Sequence, residues 1–229
     1  MALTLVAGQS ATVQNSGSRQ YDLAFPGDVT SGNLAICILA TFRTVDEPFV
    51  AGELTKQAGT ATVGSATLDA QSIWTDGGGQ YWGSTIMSIP ITGPGSLTLR
   101  VAAPLAGDFG WLMIREYTGA DVTATRVEDS ATATGNSTSP SSGDVDGSSG
   151  NLFVGAYAGA GAGAITPDAA WAQIFEYEAG TPYSNFETRD GPATDAATWT
   201  CGSGGWGASC AVFKTTVGGV RKWFFGRIA

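Results

Sequence analysis

The sequence has no histidine among its 229 residues. Histidine is the general base of Ser-His-Asp and Cys-His sites and a ligand in most catalytic zinc centres, so these classes of active site are excluded. Charged residues make up 14% of the chain, well below the roughly 25% of an average globular protein. Hydrophobic residues make up 43%, which is enough for a core and excludes a disordered chain. The composition predicts a folded protein that is not an enzyme.

Basic residues are scarce as well, since eleven Lys and Arg against twenty Asp and Glu give a formal net charge of −9. A surface of that sign repels phosphate, so we expect no nucleic-acid partner. No apolar run approaches the roughly 20 residues of a membrane-spanning helix, and we expect no membrane partner. The N-terminus lacks the basic segment of a signal peptide and soon reaches polar Gln9 and Ser10. Either a signal was removed, or the protein is made in a cytoplasm and leaves it by another route.

Three cysteines are too few for a disulfide scaffold and leave one without a partner. Cys37 lies in the apolar segment 34–39, where a buried and inert thiol is expected. Cys201 and Cys210 flank a glycine-rich turn, so they can face each other across a hairpin. Whether they form a disulfide depends on the compartment.

Helix-period patterns are nearly absent, whereas short strand-like segments follow one another along the chain. They are bounded by Gly, Ser, Asn, Asp and Pro, and residues 97–101 alternate strictly between apolar and polar. Such alternation is typical of a strand with one buried and one solvent-exposed face. Many short strands with frequent turns predict an all-β fold of the sandwich or barrel type.

The two halves of the chain, about 1–120 and 125–216, resemble each other. Each has a Gly-Asp turn and a Gly-Asn-Leu segment, at 27–34 and 143–152, that lead into an apolar strand of small residues. Each also ends in an aromatic strand, at 110–117 and 206–213. Two arrangements fit this pattern: two tandem sandwiches, or one sandwich to which both halves contribute strands. We expect the second, a two-sheet jelly-roll-like β-sandwich over residues 1–216. The Ser- and Thr-rich segment 129–142 is either a linker or an edge strand.

Two acidic motifs are candidates for chemistry, one for catalysis and one for calcium binding. Glu176 and Glu178 share one strand face, as a glycosidase acid and nucleophile would, but this spacing is more typical of a solvated face. Asp144 and Asp146 offer oxygen ligands at alternate positions, as in a calcium loop. Gly155 stands where an EF-hand has its glutamate, and Asp-Gly turns are common without metal. We therefore assign no catalytic residue, no metal and no cofactor.

Aromatic residues around two glycine-rich turns are candidates for glycan binding, because sugars stack on exposed rings. The alternative is that they cap the ends of a core. The candidates are Trp74, Tyr81 and Trp82 around the turn 76–79, and Trp206.

The last thirteen residues differ in character from the rest. Residues 217–220 form a glycine-containing hinge, and residues 221–229 contain three basic and no acidic residues. Arginine and aromatic residues concentrate binding energy at protein interfaces. We therefore expect a docking tail rather than a last strand packed on the body or a weak membrane anchor. Its candidate contact residues are Arg221, Lys222, Trp223, Phe224, Phe225 and Arg227.

Over about residues 20–215 the chain resembles a jelly-roll-type module of virion structural proteins of tailed bacteriophages, also found in bacterial surface proteins. The resemblance rests on short motifs at 32–34, 115–119, 150–156 and 211–214, together with Trp74 and Trp82. It implies a place on the virion, as a head-decoration, fibre-base or minor tail protein, and it supplies no catalytic residues. The basic aromatic tail departs from the pattern.

Together these features predict a non-enzymatic virion structural protein, on the particle surface and attached through its termini. We expect it to be made in the host cytoplasm, to contact other capsid or tail proteins, and to form a homo-oligomer, with a host-surface glycan as a further partner. The alternative is a carbohydrate-binding module or adhesin that uses the aromatic loop at 74–82. A glycan-active enzyme would depend on Glu176 and Glu178 alone.

Overall fold

The structure is a computed structural model that describes residues 2–16, 20–44, 46–102, 109–161, 163–179, 182–191 and 193–216. In this part of the chain there is one short 3-10 turn, at Ala51–Glu53, and no α-helix. It therefore contains no helix that could cross a membrane. The prediction of an all-β sandwich is confirmed.

The strands are β1 (Thr4–Ser16), β2 (Gln20–Ala24), β3 (Leu34–Arg43), β4 (Leu54–Ala58), β5 (Thr62–Val63), β6 (Thr67–Thr75), β7 (Tyr81–Gly93), β8 (Thr98–Ala102), β9 (Phe109–Thr118), β10 (Val127–Ser137), β11 (Ser141–Gly147), β12 (Leu152–Gly159), β13 (Thr166–Pro167), β14 (Ala172–Tyr177), β15 (Tyr183–Asp190), β16 (Ala193–Thr200) and β17 (Gly204–Phe213).

These strands form four antiparallel sheets where the sequence predicts two. The large N-terminal sheet has the order β1-β9-β3-β7, with β5 and β6 both on the outer side of β7. The small N-terminal sheet has the order β2-β8-β4. The large C-terminal sheet has the order β10-β17-β12-β15-β14, and the small one β11-β16-β13. Each half of the chain thus supplies both of its own sheets.

The two halves have the same connectivity. In each large sheet the first strand of that half pairs with the last, β1 with β9 and β10 with β17. The third strand of each half lies on the other side of the last one, so that β3 lies between β9 and β7, and β12 lies between β17 and β15. In each small sheet the last strand but one lies between the second and the fourth, so that β8 pairs with β2 and β4, and β16 pairs with β11 and β13. This order is that of a jelly roll, in which successive strands alternate between two facing sheets. Among the described residues only the isolated bridge between Ala120 and Thr215 joins backbone of the two halves in a β ladder.

Three hydrophobic cores separate the four sheets. One lies within each half, between its large and small sheets, and the third lies between the two large sheets. Strand β3 shows why: Ala35, Cys37 and Leu39 face the N-terminal core, whereas Ile36 and Ile38 face the core between the halves. A strand buried on both faces needs a continuous apolar run, which β3 and β12 have.

The Gly-Asn turns that enter β3 and β12 are built alike. Gly32 and Gly150 have φ values of +87° and +85°, the left-handed conformation that glycine adopts without steric cost. The following residues, Asn33 and Asn151, donate backbone hydrogen bonds to residues three positions earlier. These are the features of a type II turn. The Gly-Asn repeat in the sequence therefore corresponds to the same turn in both halves.

A carboxylate anchors each of these turns. Glu116 Oε1 accepts from the backbone of Thr30 at 2.8 Å and from Asn33 Nδ2 at 2.6 Å. Glu128 accepts from the backbone and hydroxyl of Ser148, and from Asn151 Nδ2. Glu116 lies near the end of β9, the last strand of its half, and Glu128 lies near the start of β10, the first strand of its half. The two equivalent turns are therefore anchored by carboxylates from strands that are not equivalent.

The connection between the halves is fixed by a buried arginine. Arg126 is 2% exposed and donates to Ser88 Oγ at 2.8 Å and to the carbonyl oxygen of Ser65 at 3.0 Å. Burial raises the pKa of the neighbouring Asp69 to about 6, although Thr67, Ser88 and Arg126 act to lower it. The Ser- and Thr-rich segment that follows is the edge strand β10, whose residues alternate between exposed and half-buried.

Candidate functional site

The predicted glycan-binding residues lie at one end of the interface between the large sheets. Trp74 and Trp82 are cross-strand partners with ring centroids 5.0 Å apart. Trp82 is 4% exposed and also packs on Phe42, with ring centroids 5.4 Å apart. Trp74 and Tyr81 are half-buried. Most of this cluster therefore caps the core, which was the alternative that the sequence left open.

Trp206 is also a core residue. It is 7% exposed, belongs to the C-terminal core, and donates from Nε1 to Ser137 Oγ at 3.1 Å. The neighbouring Gly205 has no side chain because the Trp74 ring fills that space. Of the four predicted residues only Trp74 and Tyr81 thus offer part of a ring face to solvent.

The two acidic motifs have structural partners. Glu178 accepts a hydrogen bond from the backbone of Ile165 at 2.6 Å, and Glu176 accepts one from Gln173 Nε2 at 2.6 Å. Burial and the nearby Glu178 raise the pKa of Glu176. Asp146 accepts a hydrogen bond from Thr194, while Asp144 lies exposed on the same strand. The described residues contain no group of three His, Cys, Asp or Glu that could hold a metal ion.

The three thiols are free and buried. Cys37 and Cys210 lie within cores, and burial raises the pKa of each well above its usual range. Cys201 receives a hydrogen bond from Tyr157 Oη at 3.5 Å. The predicted docking tail, residues 217–229, lies outside the described residues.

The two large sheets approach closely at one side of their interface, because small residues line it there. Ser84 Oγ lies 2.8 Å from Ser72 Oγ and 2.8 Å from Ser209 Oγ, and all three side chains are buried. A side chain at Gly207 would meet Ser72 Oγ at 2.7 Å. Strands β6, β7 and β17 are thus joined by a cluster of hydroxyl groups.

Large side chains separate the sheets at the opposite side. The Trp111 ring of β9 packs on Phe175 and Tyr177 of β14, with ring centroids 5.0 Å and 4.7 Å apart. Phe175 in turn stacks on Phe186 of β15, with centroids 5.0 Å apart. These rings fill the space between the large sheets at the side of β9 and β14.

A cavity of about 440 Å³, which we call the inter-sheet cleft, lies beside β1 and β14. Strands β1 and β9 of the N-terminal half form one wall, and β14 and β15 of the C-terminal half form the other. Its lining is mixed, with apolar, hydroxyl-bearing and charged side chains. The lining includes Leu3, Thr4, Leu5, Arg115, Tyr117, Leu152, Ala172, Ile174, Thr188 and Asp190.

Arg115 is the principal polar group of the inter-sheet cleft. It donates from Nη1 to Tyr117 Oη at 3.1 Å, and its guanidinium carbon lies 5.8 Å from the centroid of that ring. Its Nε atom is buried, and no described residue accepts a hydrogen bond from it. Burial raises the pKa of Tyr117, and Arg115 opposes that rise. The ion pairs of the described residues, such as Arg189 with Asp195, do not include Arg115.

Sequence reasoning missed this cleft, although β9 carried a signal of it. Residues 111, 113, 115 and 117 share one strand face, which holds Trp, Met, Arg and Tyr. An arginine on a face that is otherwise core-like indicates a place where that face meets a polar partner. The opposite wall, β14 and β15, follows some 60 residues later, and no local pattern connects the two.

No family model, no curated protein and no solved structure matches this chain.

Proposed function

We propose that the chain is a non-enzymatic structural protein on the surface of a bacteriophage particle, attached through segments at its two ends. The observation that carries this proposal is where the ends of the described chain meet. Thr216 donates from its backbone to the carbonyl oxygen of Gly119 at 2.8 Å. The carbonyl oxygen of Ala2 packs against the same glycine. The described chain therefore begins and ends at one place on the body, which supports attachment at a single point.

The fold supports the same proposal. Jelly rolls recur in viral capsid and lectin domains, although a fold alone does not define a function. Here two jelly rolls are joined by a buried core, by the cluster of Ser72, Ser84 and Ser209, and by Arg126. Such a body is suited to carry load between an attachment point and an exposed surface.

The use of polar groups supports a structural role over catalysis. Glu116 and Glu128 each anchor a turn, and Glu178 binds the backbone of Ile165. Carboxylates committed to backbone donors in this way stabilise loops. A lectin-like role at the 74–82 loop gains no comparable support, because Trp82 is buried.

The test is incorporation into particles assembled in the cells whose phage encodes the chain. We expect a chain that ends at Thr216 to melt within a few degrees of the full chain but to be absent from purified particles. A full-length chain with Val50→Ser is the matched control, because it removes an apolar side chain that is 56% exposed on the body. Incorporation of the truncated chain at the level of the control would contradict attachment through the C-terminal segment.

A further inference from the structure

We propose that the free edge of β1 binds a second copy of the chain. In the resulting dimer the two β1 strands pair antiparallel about a two-fold axis at Val13, and the large N-terminal sheets of the two molecules become one continuous sheet. The inference goes beyond the virion role and does not rest on it, since a surface protein of any particle or cell could form such a pair.

The first argument is that β1 is a long edge strand with one free side. It has 13 residues and lies at the end of the large N-terminal sheet, where β9 is its partner and no other described strand pairs with it. The side chains of Ser10, Thr12 and Gln14 are exposed. The free side of such a strand presents a row of unpaired N–H and C=O groups, which is a template for another strand.

The second argument is that β1 lacks the features that protect a free edge. Native edge strands are blunted by charged residues, by proline or by being very short. Strand β1 contains no charged residue and no proline. The other described edge strands of 5 residues or more each carry a charged residue: Asp22 on β2, Lys56 on β4, Asp69 on β6, Glu128 on β10, Asp144 on β11 and Glu176 on β14. The remaining edge strands, β5 and β13, have 2 residues each.

The register of β1 limits the pairing to its second half. A register shift ends at Ser10, and Gln9, just before it, is hydrogen-bonded to the backbone of the turn at 27–28. A bulge of this kind interrupts the ladder of a strand. Over residues 10–16 the pairing with β9 is regular, and Val13 is the middle residue of this segment. An antiparallel pair of two such segments therefore has its axis at Val13.

The third argument is that this segment is complementary to itself. Ala11 and Val13 are half-buried and pack against the N-terminal core. At the axis Val13 lies opposite its own counterpart, so each copy covers an apolar side chain of the other. On the other face Thr12 lies opposite Gln14 of the second copy, where a hydroxyl and an amide can exchange a hydrogen bond. Cross-strand pairs of both kinds stabilise a sheet.

Charge and symmetry favour a second copy as the partner. Each molecule has a formal net charge of −9, so two copies repel each other unless they meet through uncharged surface. Residues 2–18 contain no charged residue. Phe109, the cross-strand partner of Ser16, is 43% exposed and adds an aromatic side chain of the type enriched at interfaces. Most soluble homo-oligomers are two-fold dimers in which one patch binds its own copy.

The experiment measures the molar mass of the purified full-length chain by sedimentation velocity over a range of concentrations. We expect a dimer in equilibrium with the monomer. Thr12→Glu places two carboxylates at diagonal positions across the axis and should weaken the dimer by roughly tenfold or more. Because Thr12 is exposed, the variant should melt like the parent. The matched control is Thr132→Glu, the same change at an exposed position of the edge strand β10, which should leave the dimer unchanged.

Val13→Cys tests the position of the axis. The native thiols are buried, so the thiol introduced at the axis faces its own counterpart, and mild oxidation should give a covalent dimer. Thr132→Cys is the control and should give none.

Three outcomes would overturn the proposal. The first is a parent chain that stays monomeric at every concentration, which would leave the edge of β1 to a different partner or to none. The second is a dimer that Thr12→Glu weakens no more than Thr132→Glu does, which would place the interface elsewhere. The third is a folded Val13→Cys variant that forms no covalent dimer on oxidation.

Discussion

Glu187 lies opposite Gly155 on the neighbouring strand, and its side chain fills the space that a side chain at position 155 would need. Both of its carboxyl oxygens are buried, and no described residue donates a hydrogen bond to them. Burial raises the pKa of this carboxyl to about 9, and the charge of Asp168 adds to the rise. Glu187 is therefore protonated at neutral pH inside the core of the C-terminal half.

This burial predicts that the protein is more stable in mild acid than in mild alkali. In the unfolded chain the carboxyl has its ordinary pKa of 4.5. Between that value and about 9 the folded state binds more protons than the unfolded state, so the contribution of Glu187 to stability is lost as pH rises. Glu187→Gln should raise the free energy of unfolding by roughly 2–5 kcal/mol at pH 8.

Urea unfolding of parent and variant at several pH values checks this prediction. The two curves should converge near pH 4, where the carboxyl is protonated in both states, and separate progressively toward pH 9. A constant difference between them at all pH values would mean that Glu187 has no raised pKa in the folded protein.

Replacement of Arg126 is predicted to lower the stability of the protein. Arg126→Met would leave Ser88 and the carbonyl oxygen of Ser65 without their buried donor, and would remove the positive charge that lowers the pKa of Asp69. A buried polar group that loses its hydrogen-bond partner costs about 1–3 kcal/mol. The control Arg100→Met, which breaks an exposed pair with Asp22, should change the melting temperature little. Adding Asp69→Asn to Arg126→Met should recover part of the loss; if it recovers none, the two side chains are not coupled.

The close approach of the sheets predicts intolerance of a single methyl group. The Cβ of Gly205→Ala would overlap the Trp74 ring, and such overpacking costs about 1–3 kcal/mol. Gly52→Ala is the matched control, since its Cβ would meet nothing within 4 Å. Adding Trp74→Leu should relieve the overlap, and thermal unfolding of the parent chain, Gly205→Ala, Trp74→Leu and the double variant forms a double-mutant cycle. Equal losses from Gly205→Ala with either residue at position 74 would contradict the contact.

The strands could be predicted from the sequence because their patterns are local. The apolar runs of β3 and β12, and the alternation at 97–101, are visible without any partner. Strand β1 is one exception, since the sequence favours two strands near 3–6 and 11–14. The structure has one strand there, with a register shift between Leu5 and Ser10 and a positive φ at Gly8.

Sheet number and side-chain facing could not be predicted, because both depend on distant partners. Two tandem jelly rolls and one shared sandwich need the same local strand patterns and differ only in which strands pair. Tyr81 and Trp82 are adjacent in one strand, so their side chains point to opposite faces of the sheet. The sequence does not show which of the two faces the core. Only the pairing of Trp82 with Trp74 and its packing on Phe42 place it inside.

The proposal that this chain is a component of a phage particle is tested most directly by its presence in purified particles. Particles from cells whose phage encodes the chain are purified on a density gradient, and each fraction is analysed by quantitative mass spectrometry. We expect peptides from residues 20–215 to sediment with the capsid or tail proteins at a constant ratio across the particle peak. Recovery of those peptides only in the soluble fractions, with none in the particle peak, would contradict it.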